Sequence, residues 1–245
     1  SESTRSELEE RVERLQREGA RRDDALRMVG HDLRSPLSAL QGYIHLLTIG
    51  AYGPVTDEQG AALERLAGIG RHLEALVSNV LDMGHLAAGT LTLEPEPVAV
   101  ADIAESALAM VALDAADAGV RLEKEIPGDV AVLAAPDRLR QVLVQLLDNA
   151  VKYAPAETAV TLTAEAVRGG DSVAIRVRDR GPGVPPDQLE SIFEPYRRLE
   201  PAPDSGGFGL GLSIARALVE LMGGTLRVDP GPEDGAAFVA TLPAA

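Results

Sequence analysis

Residues 62–87 read ALERLAGIGRHLEALVSNVLDMGHLA, and the apolar members Ala62, Leu66, Ile69, Leu73, Leu76, Val80, Met83 and Ala87 recur at alternating steps of four and three. That rhythm is the seam of a helix built to pack along another helix. Upstream, Thr56 with Gln59 three residues later forms a capping box that starts this helix. Gly50, Gly53 and Pro54 break the periodicity before it. An earlier run keeps the same rhythm: Leu8, Val12 and Leu15, two gaps at Gly19 and Arg22, then Leu26, Val29 and Leu33. Carried on to Thr48, that first helix would measure roughly 60 Å at about 1.5 Å per residue, too long to stand unpaired in water. The two helices are therefore expected to fold back as an α-helical hairpin whose stripes two copies bury together, a dimeric four-helix bundle.

Gly89 and the stretch from Pro95 to Pro97 end the helical rhythm, which places a domain boundary near Thr90. Beyond it the pattern predicts helices near 101–118, 137–153 and 213–222. Strands are predicted near 120–126, 130–134, 158–167, 172–178, 225–229 and 236–242. Such a mixture implies an α/β two-layer sandwich, one sheet covered by helices on one face. Pro195 to Gly207 carries three prolines and little apolar content, so it reads as a mobile loop, and long loops in compact domains are usually functional or disordered.

The composition sets limits on the chemistry. The 245 residues include no cysteine, which removes disulfide frameworks, thiolate metal sites and cysteine nucleophiles and suits a reducing, cytoplasmic compartment. No apolar run is long enough to span a bilayer, and the charged start (Glu2, Arg5, Glu7, Glu9, Glu10, Arg11) is unlike a secretory signal. Membrane contact by this stretch is not expected, while membrane attachment of the parent protein stays open. A formal charge of -15 argues against nucleic acid as a partner, because affinity for a phosphate backbone comes mainly from Lys and Arg. An anionic nucleotide can still bind where Mg²⁺ or a local cluster of donors offsets that field.

Three segments of the second domain converge on nucleotide binding. In Asp148-Asn149-Ala150-Val151-Lys152-Tyr153, Asn149 and Lys152 stand three apart on one helix face, where an amide oxygen can hold Mg²⁺ and an ammonium can meet phosphate. Asp179-Arg180-Gly181-Pro182-Gly183 follows a strand, and a carboxylate there can accept a hydrogen bond from an exocyclic amine while glycines admit a flat ring. Gly206-Gly207-Phe208-Gly209-Leu210-Gly211-Leu212 runs into a helix and exposes amide N–H groups at its positive end. By itself each also fits something ordinary: a solvated helix face, an Asp-Gly turn, a flexible linker.

Their order is more telling. Asn149-Ala-Val-Lys-Tyr, Asp179-x-Gly-x-Gly-Val-Pro, Ile192-Phe193-Glu194-Pro195 and Gly207-x-Gly-Leu-Gly-Leu resemble the N, G1, F and G2 boxes of the histidine-kinase ATP-binding domain, of the gyrase, MutL and heat-shock-chaperone superfamily. Met222-Gly223-Gly224-Thr225 and the run to Leu242-Pro243 resemble the end of such domains. The resemblance, over residues 90 to 245, implies that ATP and Mg²⁺ bind here. Asn149 would ligate the metal, Asp179 would read adenine, and residues 196–207 would form an ATP lid. Lys152, Arg197 and Arg198 would meet phosphate, and Tyr153, Gly181, Gly183, Phe193, Gly207, Gly209, Leu210 and Gly211 complete the expected nucleotide site. One departure is Gln145, where such kinases commonly carry a further Asn one turn before the metal ligand; activity is expected to survive it.

Within the hairpin, the seam places His31 at an outward-facing position, where an imidazole with a pKa near 6.5 is largely neutral and available as a nucleophile. His45, fourteen residues on, shares that face, so periodicity leaves both open. Local sequence separates them: His31-Asp32-Leu33-Arg34-Ser35-Pro36-Leu37 resembles the phosphoacceptor H box of sensor kinases, and nothing around His45, His72 or His85 does. By that likeness Asp32 orients His31 by a hydrogen bond to its other ring nitrogen. Pro36 should bend the helix just past the acceptor. Ser35 stands where the family often carries Thr or Asn, which implies weak phosphatase activity.

The resemblance as a whole identifies the catalytic core of a sensor histidine kinase. It would comprise a coiled-coil signalling helix (1–22), a dimerisation and histidine phosphotransfer domain (23–90) and a catalytic ATP-binding domain (91–245). The implied reaction is transfer of the γ-phosphate of ATP to His31 and then to an aspartate of a response-regulator receiver domain. The expected partners are a second copy, that receiver and an upstream sensor outside this chain. An ATPase or clamp of the same superfamily would leave the H box without a purpose. A non-catalytic scaffold has only Gln145 in its favour.

Overall fold

The computed structural model describes residues 28–30, 32–197, 209–230 and 235–245. The coiled-coil segment 1–22 with its gaps at Gly19 and Arg22, His31, Arg198, Gly207 and the greater part of the expected lid lie outside the described residues. The chain divides into two compact units that meet between Leu91 and Thr92.

In the first unit residues 28–30 are helical, α1 spans residues 32–48 and is helical on both sides of Pro36, and α2 is Asp57–Ala88. Gly50, at φ 74°, closes α1: its N–H donates to Leu47 O at 3.0 Å and that of Ala51 to Leu46 O at 2.9 Å. This is the paired bonding of a Schellman cap, for which glycine's freedom at positive φ is needed. The capping box is formed as read. The N–H of Gln59 donates to Thr56 Oγ1 at 3.2 Å, and that of Thr56 to Gln59 Oε1 at 2.9 Å.

The apolar residues of the hairpin fall on two stripes. Ile44, Leu63 and Leu81 are buried, with Gly70 set against Gln41, whose amide donates to Glu74 at 3.0 Å. The seam residues Leu66, Ile69, Leu73 and Val80 stay 41–58% exposed, as do Val29, Leu33 and Leu40 at 45–51%. The seam read from the sequence is therefore the outer stripe of the hairpin.

The second unit runs β1 (Glu96–Ala99), α3 (Val100–Asp117), β2 (Arg121–Glu125), β3 (Ala131–Ala134), α4 (Pro136–Tyr153), β4 (Ala159–Ala166), β5 (Ser172–Arg178), α5 (Gly211–Leu221), β6 (Thr225–Pro230) and β7 (Ala236–Pro243). Two 3-10 turns, Pro186–Gln188 and Ser191–Phe193, precede α5. Five strands form a mixed sheet in the order β2-β4-β5-β7-β6, in which β2 and β4 are parallel and the other pairs antiparallel.

Register explains why helices cover one face. Leu162 pairs with Val177, Val177 with Phe238 and Phe238 with Val228, so these side chains share a side, and all four are buried. Against them pack α4, with Leu139, Val142, Leu143, Leu146 and Leu147 fully buried, and α5, with Ile214, Leu218 and Val219. The opposite face carries Thr161, Thr163, Arg176, Arg178 and Arg227; Arg176 and Arg227 flank Val239, whose burial fits cover by their long stems.

The expectation of one sheet is corrected. Strand β3 pairs with β1, an element not predicted, in a separate two-stranded sheet. Both edges of β7 are occupied by β5 and β6, so β3 reaches it only through a single bridge from Val132 to Ala244. Strand β1 accommodates Pro97 because a two-stranded sheet leaves an edge where a missing N–H is harmless.

Candidate functional site

Within the second unit, a cavity of about 320 Å³ opens between the end of α4, the segment after β5 and the start of α5. Helix α4 contributes Gln145, Asp148, Asn149 and Lys152, spaced at i, i+3, i+4 and i+7 and so on one face, together with Tyr153. The opposite face of α4 carries the leucines that anchor it on the sheet, so burial of one side aims the other into the cavity.

The floor is Asp179, 3% exposed, at the end of β5. Its N–H donates to Ala236 O at 3.0 Å, which prolongs the β5–β7 ladder by one residue. Its Oδ1 accepts from the N–H groups of Gly181 at 2.7 Å and Ala236 at 3.3 Å. Burial pushes the carboxyl above its ordinary 3.8, and the two backbone donors pull it back. Space is tight around it. A β-carbon on Gly181 would stand 2.6 Å from Tyr153 O, and one on Gly235 would fall on the carbonyl of Asp179.

The far wall is the start of α5. Leu210 is its N-cap residue, no side chain caps its first turn among the described residues, and Gly209 and Gly211 line the cavity there. The N–H of Tyr196 donates to Gly209 O at 2.9 Å, so the residues on either side of 198–208 are tied together. Gly209 sits at φ 69°, and a β-carbon on it would lie 2.6 Å from Arg197 O. Only glycine fits both conditions.

Of the residues singled out in the sequence, Asn149, Lys152, Tyr153, Asp179, Gly183, Arg197, Gly209 and Gly211 line this one cavity. Gly181, Phe193 and Leu210 are buried beside it and are not among its lining residues. Phe193 stands edge-on to Phe238, with ring centres 6.4 Å apart, and Phe238 lines the cavity. The Arg216 guanidinium lies 5.1 Å from the Phe193 ring centre and bonds Glu190 at 2.9 Å and Glu220 at 3.0 Å. Sequence reading missed Gln188, Ala236 and Phe238 as lining residues. Phe238 showed only as one apolar position of an alternating strand, and no local signal marked Gly235. In the hairpin Asp32, Ser35 and Pro36 are exposed on α1.

Comparison with known proteins gives both units relatives. Residues 21–89 match the His Kinase A (phospho-acceptor) domain, and residues 134–245 match the histidine kinase-, DNA gyrase B- and HSP90-like ATPase. The adaptive-response sensory kinase SasA of Synechocystis is 31% identical, over 91% of this chain and 59% of its own length. The non-motile and phage-resistance protein of Caulobacter vibrioides is 30% identical, over 95% of this chain and 28% of its own. The chain thus spans between about a quarter and three fifths of the length of these curated relatives. Among solved structures, full-length ShkA in complex with AMPPNP superposes with a TM-score of 0.68 and 32% identity, covering 91% of this chain and 46% of that one. A phospho-acceptor domain and the ATPase domain in this order, together with relatives of this kind along nearly the whole chain, show that it belongs to the sensor histidine kinases.

Proposed function

We propose that the chain is the catalytic core of a two-component sensor, which phosphorylates itself on His31 at the expense of ATP and passes the phosphoryl group to an aspartate of a response-regulator receiver. The observation that carries the reading is the convergence, in one cavity, of a buried carboxylate, the polar face of α4 and the uncapped start of α5. These suit the two ends of a nucleotide. Asp179 accepts a hydrogen bond from the adenine amine, and Phe238 and Ile192 supply apolar wall. The phosphates lie towards the free N–H groups of α5, with Lys152 and Arg197 to meet their charge and Arg198 as a further candidate. Gly181, Gly183, Gly209 and Gly211 keep the backbone close, and Tyr153, Phe193 and Leu210 shape the surroundings.

The donors fit Mg²⁺. Among the described residues no group of three His, Cys, Asp or Glu side chains could cage a metal, whereas Asn149 offers an amide oxygen into the cavity. One protein oxygen plus substrate phosphates is the usual environment of that ion, which when bound supplies neutralising charge. An imidazole nitrogen of His31 then attacks the terminal phosphorus as the bond from that phosphorus to the bridging oxygen breaks and ADP leaves, with Asp32 orienting the imidazole, and rate comes from position and electrostatics. Because acceptor and nucleotide belong to different units, movement between them gates the reaction.

A second copy is the proposed cover for the outer hairpin stripe. Leu66, Ile69, Leu73 and Val80 form a contiguous apolar row of the kind that drives four-helix bundles. The proposed division of labour is a signalling helix (1–22), a dimerisation and phosphotransfer domain (23–90) and an ATP-binding domain (91–245). No helix among the described residues is long and apolar enough to cross a membrane, and the cytoplasm, where ATP and receiver domains occur, is the proposed compartment.

Incubation with γ-labelled ATP and Mg²⁺ tests the reading. Acid-labile, alkali-stable label that His31→Gln abolishes is expected. Label on another side chain, or release of phosphate without any labelled protein, would overturn it.

A further inference from the structure

On α2, Leu81 occupies the space that a side chain at position 30 would need. Gly30 is helical and buried, while its neighbours Met28 and Val29 are 68% and 51% exposed and Asp32 and Leu33 lie open to solvent. Among the described residues of this turn, Gly30 is thus the one that faces α2. A β-carbon built on it would lie 3.1 Å from Leu81 Cδ2 and 3.4 Å from Leu81 Cγ, and would overlap Leu81 Cδ1 outright. Leu81 is only 4% exposed, so it has no solvent to swing into.

Glycine is the least favourable residue in a helix interior after proline, so helix propensity gives no reason for it here. Close approach does. Gly70, the other buried glycine of the hairpin, plays the corresponding part from α2, where a β-carbon would meet Gln41 Cγ at 3.4 Å. The inner stripe of the hairpin therefore meets large against small at two levels, which fixes the depth and rotation at which the helices pack.

The upper of these levels is one peptide bond from His31. We propose that Gly30 is a positioning residue for phosphoryl transfer: by letting the helix seat directly on Leu81, it sets the rotation at which the next residue, His31, is presented. The inference rests on the reading of His31 as phosphoacceptor. A side chain extends to about 5–6 Å from a helix axis, so rotation by roughly 10° moves its tip by about 1 Å. Misplacement on that scale can cost about a hundredfold in rate. Nucleotide binding lies in the other unit and should not respond.

The test uses the whole chain with γ-labelled ATP and Mg²⁺. Gly30→Ala should lower the rate of His31 labelling at saturating ATP by about tenfold or more, with KM for ATP unchanged and the far-UV circular dichroism of the parent retained. Adding Leu81→Ala, or Leu81→Val should the larger truncation unfold the hairpin, should restore the rate to within about threefold of the parent, since it returns the removed space. Labelling by Gly30→Ala at the parental rate would overturn the proposal, as would a rise in KM or a loss that neither Leu81 truncation recovers. Absence of label on His31 in the parent chain would instead defeat the underlying reading.

Discussion

A β-carbon on Gly211, the first residue of α5, would fall on the side-chain oxygen of Gln145 from α4. The two residues meet at the cavity wall, so the amide that departs from the family pattern is also what keeps position 211 small. The contact is with the end of a flexible, half-buried side chain, so a methyl group at 211 is accommodated by swinging the Gln145 amide further into the cavity that both residues line. Gly211→Ala is expected to weaken Mg-ATP binding about tenfold or more, and Gly211→Ala with Gln145→Ala to recover most of it. Isothermal titration of both variants checks this, and a parental Kd for Gly211→Ala would contradict it.

Asp179 gives a pH dependence of known sign. Burial sets its folded pKa above the ordinary 3.8. A group shifted that way contributes stability that is complete below the unfolded pKa and disappears as pH rises through the folded value. Relative to Asp179→Asn, the parent should therefore lose unfolding free energy as pH increases from about 4 through that raised value. Its affinity for ATP, which needs the ionised carboxylate, should rise over the same window. Urea unfolding of both proteins at several pH values provides the comparison; parallel stability profiles would show that Asp179 does not titrate as its burial implies.

The outer hairpin stripe predicts an association defect. Ile69 and Val80 are each 58% exposed, too much apolar surface on one row for a helix pair that stands alone. In a two-fold dimer each substitution acts twice, and losing burial of one aliphatic side chain costs about 1.5–3 kcal/mol. Ile69→Asp should then weaken self-association at least about a hundredfold while leaving ATP binding intact. Sedimentation equilibrium is the direct measurement, and an unchanged association constant would remove the stripe from the interface.

Much of this was legible in the sequence because it is local. The Thr56–Gln59 capping box, the amphipathic α4 and Gly209 ahead of α5 are each set within a few residues, and the structure shows these three. Strand β1 was hidden by Pro95 and Pro97, which signal a break unless the strand belongs to a small sheet with a free edge. The assignment of β3 to the main sheet failed because pairing is decided by which edges remain open, a property of the assembled sheet. Gly235 and Phe238 escaped notice for a related reason: each meets the site across the β5–β7 ladder, 56 and 59 positions after Asp179. Two parallel stripes on one helix also look like a single seam until a neighbour covers one of them.

The remaining prediction concerns a residue that sequence could not have marked. Arg216 projects from α5, bonds Glu190 and Glu220 and lies over the Phe193 ring, which stands edge-on to Phe238 of the cavity. The hydrogen bond it donates to Glu190 raises its pKa further, with that to Glu220 next, so it remains charged throughout the working range. Its ion pairs are surface-exposed and each contributes no more than about 1 kcal/mol, with a similar amount for the cation over the ring. Truncation should therefore cost little stability. The larger effect should be on the wall formed by the 3-10 turns, since Gln188 and Ile192 line the cavity on either side of Glu190. Arg216→Ala is expected to raise KM for ATP about three- to tenfold with kcat nearly unchanged, the pattern of binding lost equally from the ground state and the transition state. Arg216→Lys, which keeps the charge but lacks the planar fork, should fall between. Steady-state labelling across ATP concentrations distinguishes the outcomes: a fall in kcat at constant KM would place Arg216 in the transfer step and not in the wall that holds the base.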